Sequence, residues 1–221
     1  MKITKGGFYF LSDFDNSLEI DVDDKVVIFD DGENNISKIE IFGKADVKIY
    51  GFIKKSRNLE IISAGEKTSI LVNYLFLGQN DEKIEAKING KIIKSGNSLE
   101  INILGILDDK SVLKLDSGVD IDFQVVGGFG ITNTEIIFLG NDAKFSGIPG
   151  LRVASNDVKA NHSLKIDKIS YEAIFYLQAR GLEVDSSRNM ILRAKVDELY
   201  KYFKLCNHSL YEELVTEIFK K

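Results

Sequence analysis

The feature that most constrains this chain is a recurrence. Leu18-Glu19-Ile20, Ile39-Glu40-Ile41, Leu59-Glu60-Ile61, Leu99-Glu100-Ile101 and Val119-Asp120-Ile121 share an apolar–acid–apolar pattern, and their starts are separated by 21, 20, 40 and 20 residues. A side-chain period of two puts both apolar residues of each triplet on one face of a strand and the carboxylate on the other. The member due near residue 79 is replaced by Gly78-Gln79-Asn80-Asp81. Second apolar runs follow in most repeats, as in Val26-Val27-Ile28, Val47-Lys48-Ile49 and Ile70-Leu71-Val72, with Gly, Asn and Asp between them. A fixed spacing near 20 lets each coil bury its apolar face on the next, as in a solenoid. The recurrence predicts a mainly β fold, a right-handed parallel β-helix over roughly residues 8–163. Leu18, Ile39, Leu59, Leu99 and Val119 would point inward, and Glu19, Glu40, Glu60 and Glu100 outward. A β-sandwich is the alternative, but Asn-Gly, the hairpin dipeptide, occurs only at Asn89-Gly90.

Glycine marks the boundary of this region. Seventeen of the 18 glycines precede residue 163, and Gly181 alone follows it. The expected organisation is a β-helix over 1–163 and a small C-terminal helical domain over 164–221. The first helix is expected from Ser170 to Arg180, stopped by Gly181. The second is expected from Asp185-Ser186 to about Leu205, with Leu192, Val196, Leu199, Phe203 and Cys206 on one apolar face. The third is expected from a capping box, Ser209 with Glu212.

Composition excludes several classes. Against 34 Asp+Glu the chain has 29 Lys+Arg, a net charge of −5, which is unsuited to counterion-displacing nucleic-acid binding. No uncharged apolar run approaches the ~18–20 residues that span a membrane. The N-terminal residues lack the apolar stretch of a secretory signal. One cysteine, Cys206, forms no internal disulfide, and a cytoplasmic location is expected. With one cysteine and two histidines, a four-cysteine zinc or iron–sulfur site cannot be built within one chain. No G-x-x-x-x-G-K-[ST] loop is present, so the chain holds no P-loop of its own.

Single residues carry weaker signals. Cys206 and His208 have a spacing that can seed a metal site, but no further Cys or His completes one. Asp23-Asp24, Asp30-Asp31 and Asp108-Asp109 fit no calcium loop and are expected in turns. Gly127-Gly128-Phe129-Gly130 is expected at a corner.

The segment 135–194 holds Leu139-Gly140-Asn141-Asp142-Ala143, Pro149-Gly150-Leu151-Arg152-Val153, Asp157-Val158-Lys159 with His162, Phe175-Tyr176-Leu177-Gln178-Ala179-Arg180-Gly181-Leu182 and Met190-Ile191-Leu192-Arg193-Ala194. In order and spacing it resembles the C-terminal part of the SufB/SufD family, the β-helical scaffold subunits of iron–sulfur cluster assembly. About 60 residues match closely. The chain looks more SufD-like than SufB-like, and short. Ala160 stands where SufD-like chains often have Cys, Ser163 where SufB-like chains have Glu, and Thr134 near a SufB-like Cys.

The resemblance implies a non-enzymatic scaffold subunit. It implies a transient iron–sulfur cluster shared with a partner subunit, with His162 as a cluster or metal ligand at the seam and no nucleotide bound by this chain. It also implies a SufC-like ABC-type ATPase docked near Tyr176, Arg180 and Gly181, and pairing at the end of the β-helix with a SufB-like subunit or a second copy. Two alternatives stand beside it. Outward carboxylates could serve a β-helical polysaccharide lyase or hydrolase, and a structural β-helix could polymerise end to end.

Overall fold

The computed structural model describes residues 1–219. Strands alternate between two sheets along the chain. One sheet takes β1 (Lys2–Ile3), β3 (Ser17–Ile20), β5 (Lys38–Ile41), β7 (Arg57–Ser63), β9 (Lys83–Ile92), β11 (Val112–Ile121) and β13 (Lys144–Val153), in that spatial order. The other takes β2 (Gly7–Phe10), β4 (Lys25–Asp30), β6 (Asp46–Ile53), β8 (Ser69–Gly78), β10 (Ser98–Leu107), β12 (Gly128–Phe138) and β14 (Val158–Lys168). Neighbouring strands run parallel. Each turn of chain contributes one strand to each sheet, which makes a right-handed parallel β-helix.

Inside, the alternation holds. Leu18, Ile39, Leu59, Leu99 and Val119 are buried, while Glu19 and Glu60 are exposed and Glu40 and Glu100 half-exposed. The 20-residue period does not hold throughout. Ile39 lies beside Ile61 and Ile61 beside Gly90, so the coil grows from 22 to 29 residues. The cause is strand length: β3 and β5 have four residues each, β8 to β11 ten each. As a result Leu99-Glu100-Ile101 lies in the second sheet, not in a column with Leu59, and the repeat missing near residue 79 was never due there.

A buried polar cluster sits where the coil widens. Asp30, Gly51 and Tyr74 are register neighbours on β4, β6 and β8. The Tyr74 hydroxyl donates to Asp30 Oδ2 at 2.6 Å, and Arg57 Nε donates to the same oxygen at 2.7 Å. Asp30 Oδ1 accepts from Gly32 N and Asn34 Nδ2. Arg57 also donates to the Ile36 carbonyl. Gly51 is required because any Cβ there would drive into the Tyr74 ring. Burial and the Asp30 charge hold the Tyr74 hydroxyl well above its ordinary pKa.

The helical tail lies on the outer face of the second sheet. It comprises α1 (Tyr171–Gln178), α2 (Val184–Leu199), α3 (Lys201–Cys206) and α4 (His208–Ile218). Phe29, Tyr50, Leu75, Leu104 and Ile137 on the sheet meet Leu192, Val196, Tyr200, Phe203 and Tyr211 on the tail. Tyr200 donates to the Gly51 carbonyl at 2.6 Å and stacks on Tyr50. Ser170 caps α1 through a bond from Ala173 N, and Gly181, at φ +91°, follows it.

Two helix boundaries differ from expectation. The long second helix breaks at Tyr200, whose backbone (φ −102°, ψ 13°) leaves the helical region, so Tyr200 and Phe203 both enter the interface. The break changes the phase of α3, and Cys206 is exposed instead of continuing the apolar face. The last helix is capped by Asn207, whose side chain accepts from Leu210 N, rather than by Ser209.

Candidate functional site

The two ends of the β-helix differ. At the first coil, Leu11, Ile3, Tyr9 and Phe14 close over the core, and Leu11 is fully buried in a short 3₁₀ turn, Leu11–Asp13. At the last coil nothing covers the interior among the described residues. β13 and β14 end their sheets and are hydrogen-bonded on one side only. In register with the inward residues Gly130, Thr132, Thr134 and Ile136 of β12 stand Ala160, His162, Leu164 and Ile166 of β14. Ile166 is 52% exposed, and Val153, at the end of β13, 41%.

His162 lies across this opening. It starts on the second sheet, and its Nδ1 sits 2.8 Å from the Pro149 carbonyl oxygen on the first sheet. Pro149 is buried. The even-numbered residues of β13 face β11, as the bonds from Lys144 N to Ser111 O and Ala154 N to Ile121 O show. Odd-numbered residues, Pro149 among them, therefore turn to the open edge. A proline fits such a position because it has no N–H to leave unpaired. Beneath His162, the Thr132 and Thr134 hydroxyls are buried in the lumen with no hydrogen-bond partner among the described residues.

The outer face of the same sheet carries a polar ladder. Asn73 donates to the Leu199 carbonyl at the end of α2, Asn102 to Asn73, Asn133 to Asn102, and Ser163 to Asn133, each at 2.7–3.0 Å. It forms the floor of a 770 Å³ groove between sheet and tail. Beside it, Lys195 of α2 and Lys165 of β14 both bind Glu135. Partial burial pushes the Glu135 carboxyl up, but the two lysine bonds outweigh it and hold the group below its ordinary value. The last coil is thus tied to α2 by two polar tracks.

The three residues expected at the partner contact fall together at the free side of the tail. None of the residues of α1 is buried. Tyr176 is 56% exposed and Phe175 59%, and the Arg180 guanidinium lies over the Tyr176 ring, 4.5 Å from its centroid. Tyr171 stacks on Phe175. Cys206 ends α3 and His208 begins α4, and among the described residues no group of three His, Cys, Asp or Glu side chains is placed to hold a metal ion. Most of the Asp pairs work in turns: Asp23 accepts from Lys44 N, Asp31 from Glu33 N, and Asp108 from Asp109 N. Asp30 is the exception, since it points into the core. Outward acids of the first sheet form cross-strand pairs, such as Glu85–Lys114 and Asp120–Arg152.

The Asn ladder and the Asp30–Arg57–Tyr74 cluster escaped sequence reasoning. Each depends on which residues lie side by side between coils, and a constant 20-residue period aligns the wrong ones. The 29-residue separation between Asn73 and Asn102 was the signal that could have found the ladder.

A coil of parallel strands with one closed end, one open end and a side-mounted helical tail defines a platform class of protein. Residues 47–195 match the model of the SUF system iron–sulfur cluster assembly SufBD core domain, and the chain belongs to that family. It is 27% identical over 141 residues to an iron–sulfur cluster assembly SufBD family protein of Pyrococcus horikoshii, covering 62% of this chain and 30% of the relative. A SufBD family protein of Methanothermobacter thermautotrophicus is 22% identical over 129 residues, covering 58% and 31%. The iron–sulfur cluster assembly protein SufD of Escherichia coli is 27% identical over 94 residues, covering 42% and 22%. The chain thus matches less than a third of the length of each of these relatives.

Proposed function

We propose that this chain is a non-catalytic scaffold subunit of SUF-type iron–sulfur cluster assembly, acting in a reducing compartment. The observation that carries this reading is His162, which lies inside the family-matched segment and across the uncovered end of the β-helix. An imidazole nitrogen suits iron. One such donor cannot hold a cluster, so the cluster is a cargo shared transiently with donors from a second scaffold subunit, either SufB-like or another copy. The exposed Leu164, Ile166 and Val153 and the free edges of β13 and β14 give that subunit a surface to cover. Sulfur carried as a persulfide requires a thiolate from the partner, since this chain's one cysteine lies in the tail.

Nucleotide hydrolysis belongs to a partner as well, an ABC-type ATPase docked on α1 around Tyr176, Arg180 and Gly181. Aromatic and Arg side chains are the types that most often dominate interface energetics, and here they are presented on a helix with no buried face.

The test is maturation of an iron–sulfur client protein in cells carrying His162→Ala as the sole copy. Maturation is expected to fall severely while circular dichroism of the purified variant matches the parent. Unchanged maturation contradicts the reading. Phe175→Asp, on an exposed site, is expected to abolish co-purification of the ATPase, and full retention removes the docking assignment.

A further inference from the structure

We infer that the backbone carbonyl of Pro149 is a positioning group for His162, holding the imidazole as its Nδ1–H tautomer so that the Nε2 lone pair is left for a ligand bond. This rests on the proposed role of His162 and adds to it the identity of the donor atom.

A carbonyl oxygen can only accept, so at 2.8 Å the proton must sit on Nδ1. In a neutral ring the lone pair is then on Nε2. That nitrogen has no hydrogen-bond partner among the described residues, and His162 is exposed at the mouth of the lumen. In water the neutral side chain favours the opposite tautomer, with the proton on Nε2, so the protein reverses the default. Metal-binding histidines almost always show this arrangement, one ring N–H given to a backbone carbonyl or carboxylate and the other nitrogen free for the metal.

The anchor is well suited to the task. The Pro149 carbonyl points to the open edge, where no strand among the described residues competes for it, and proline supplies no N–H that could turn an incoming edge toward itself. Pro149 is buried and its ring fixes φ, which removes one backbone freedom at the anchor. The bond joins the terminal strands of both sheets and ties the orientation of the imidazole to the closure of the last coil. The Thr132 and Thr134 hydroxyls, unpartnered among the described residues, line the lumen below.

The test is a long-range ¹H–¹⁵N correlation on the full ¹⁵N-labelled chain near pH 8, with His162 assigned by loss of its signals in His162→Asn. His162 is expected to show a protonated, pyrrole-type Nδ1 and an unprotonated, pyridine-type Nε2. Added Zn²⁺ alone should shift Nε2 and leave Nδ1 protonated. An Nε2–H pattern, an average of the two tautomers, or a zinc shift at Nδ1 overturns the proposal. Two variants separate anchoring from ligation. His162→Asn keeps an N–H donor near the Nδ1 position, and its β13 and β14 amides should exchange as slowly as the parent's. His162→Gln reaches toward the Nε2 position instead, and its edge amides should exchange faster. Equal exchange in both variants would show that the Nδ1 bond anchors nothing. Normal client maturation in His162→Ala alongside the Nδ1–H tautomer would remove the assembly reading and leave the positioning intact.

Discussion

The two ends of this β-helix solve the same problem in opposite ways. Stacked coils leave an unsatisfied layer at each end, and a solenoid must cap that layer or share it. The first coil caps its own: Leu11 drops into the core from a 3₁₀ turn, and the tilted Tyr9 and Phe14 rings, 6.0 Å apart, close above it. The last coil has the same kind of inward row, Ala160, His162, Leu164 and Ile166, with nothing placed over it among the described residues. One of its members is polar and is held by the opposite sheet. The difference separates inward residues covered within the chain from inward residues left exposed, although both point into the same lumen.

The contrast can be broken first at the closed half. Asp30→Ala leaves the Arg57 guanidinium buried without its carboxylate, and removing one partner of a buried pair costs about 3–5 kcal/mol. Urea unfolding should show a loss of that size. Next in size is a matched pair. Leu11→Ala at the capped end should cost about 2–5 kcal/mol, and Leu164→Ala at the open end about 1 kcal/mol or less. Equal losses would mean that the ends are not different in kind. Tyr74→Phe, which deprives Asp30 of one donor, should cost about 1–3 kcal/mol. A neutral result would mean that the hydroxyl is not needed to satisfy the carboxylate.

The smallest expected effect concerns the link between the open end and the tail. Glu135 has a folded pKa below its ordinary value of 4.5. Its contribution is therefore full above that value and is lost as pH falls through the lower folded value. The tyrosine near-ultraviolet circular dichroism of the Tyr50–Tyr200 stack should weaken in that acid range. In Glu135→Gln it should start slightly lower at neutral pH and change less on acidification. Identical acid profiles would remove Glu135 from the coupling.

The fold was legible because its strongest signal is local. Alternation of apolar and acidic residues sets each strand's inner face, and this held at Leu18, Ile39, Leu59, Leu99 and Val119. Register was not legible, because it depends on coil length, which changes after Ile61 as strands lengthen. Asp30 illustrates the cost: the dipeptide Asp30-Asp31 before Gly32 has the composition of a turn, and only the stacking of β4, β6 and β8 shows that its first carboxylate faces Tyr74. The helix break at Tyr200 was hidden for a related reason. Leu192, Val196, Leu199 and Phe203 keep helical spacing across it, and the exposure of Cys206 betrays the change of phase. His162 was found through its motif, but its bond to Pro149 joins two sheets and has no signature along the chain.

Amide hydrogen exchange on the chain alone and after addition of a SufB-like scaffold subunit and an ABC-type ATPase, the proposed partners, tests the central claim most directly. The account expects residues 144–153 and 158–168 to become strongly protected in the complex while residues 2–20, already capped, exchange at unchanged rates. Unaltered exchange over 158–168, with new protection appearing at the first coil instead, would contradict it.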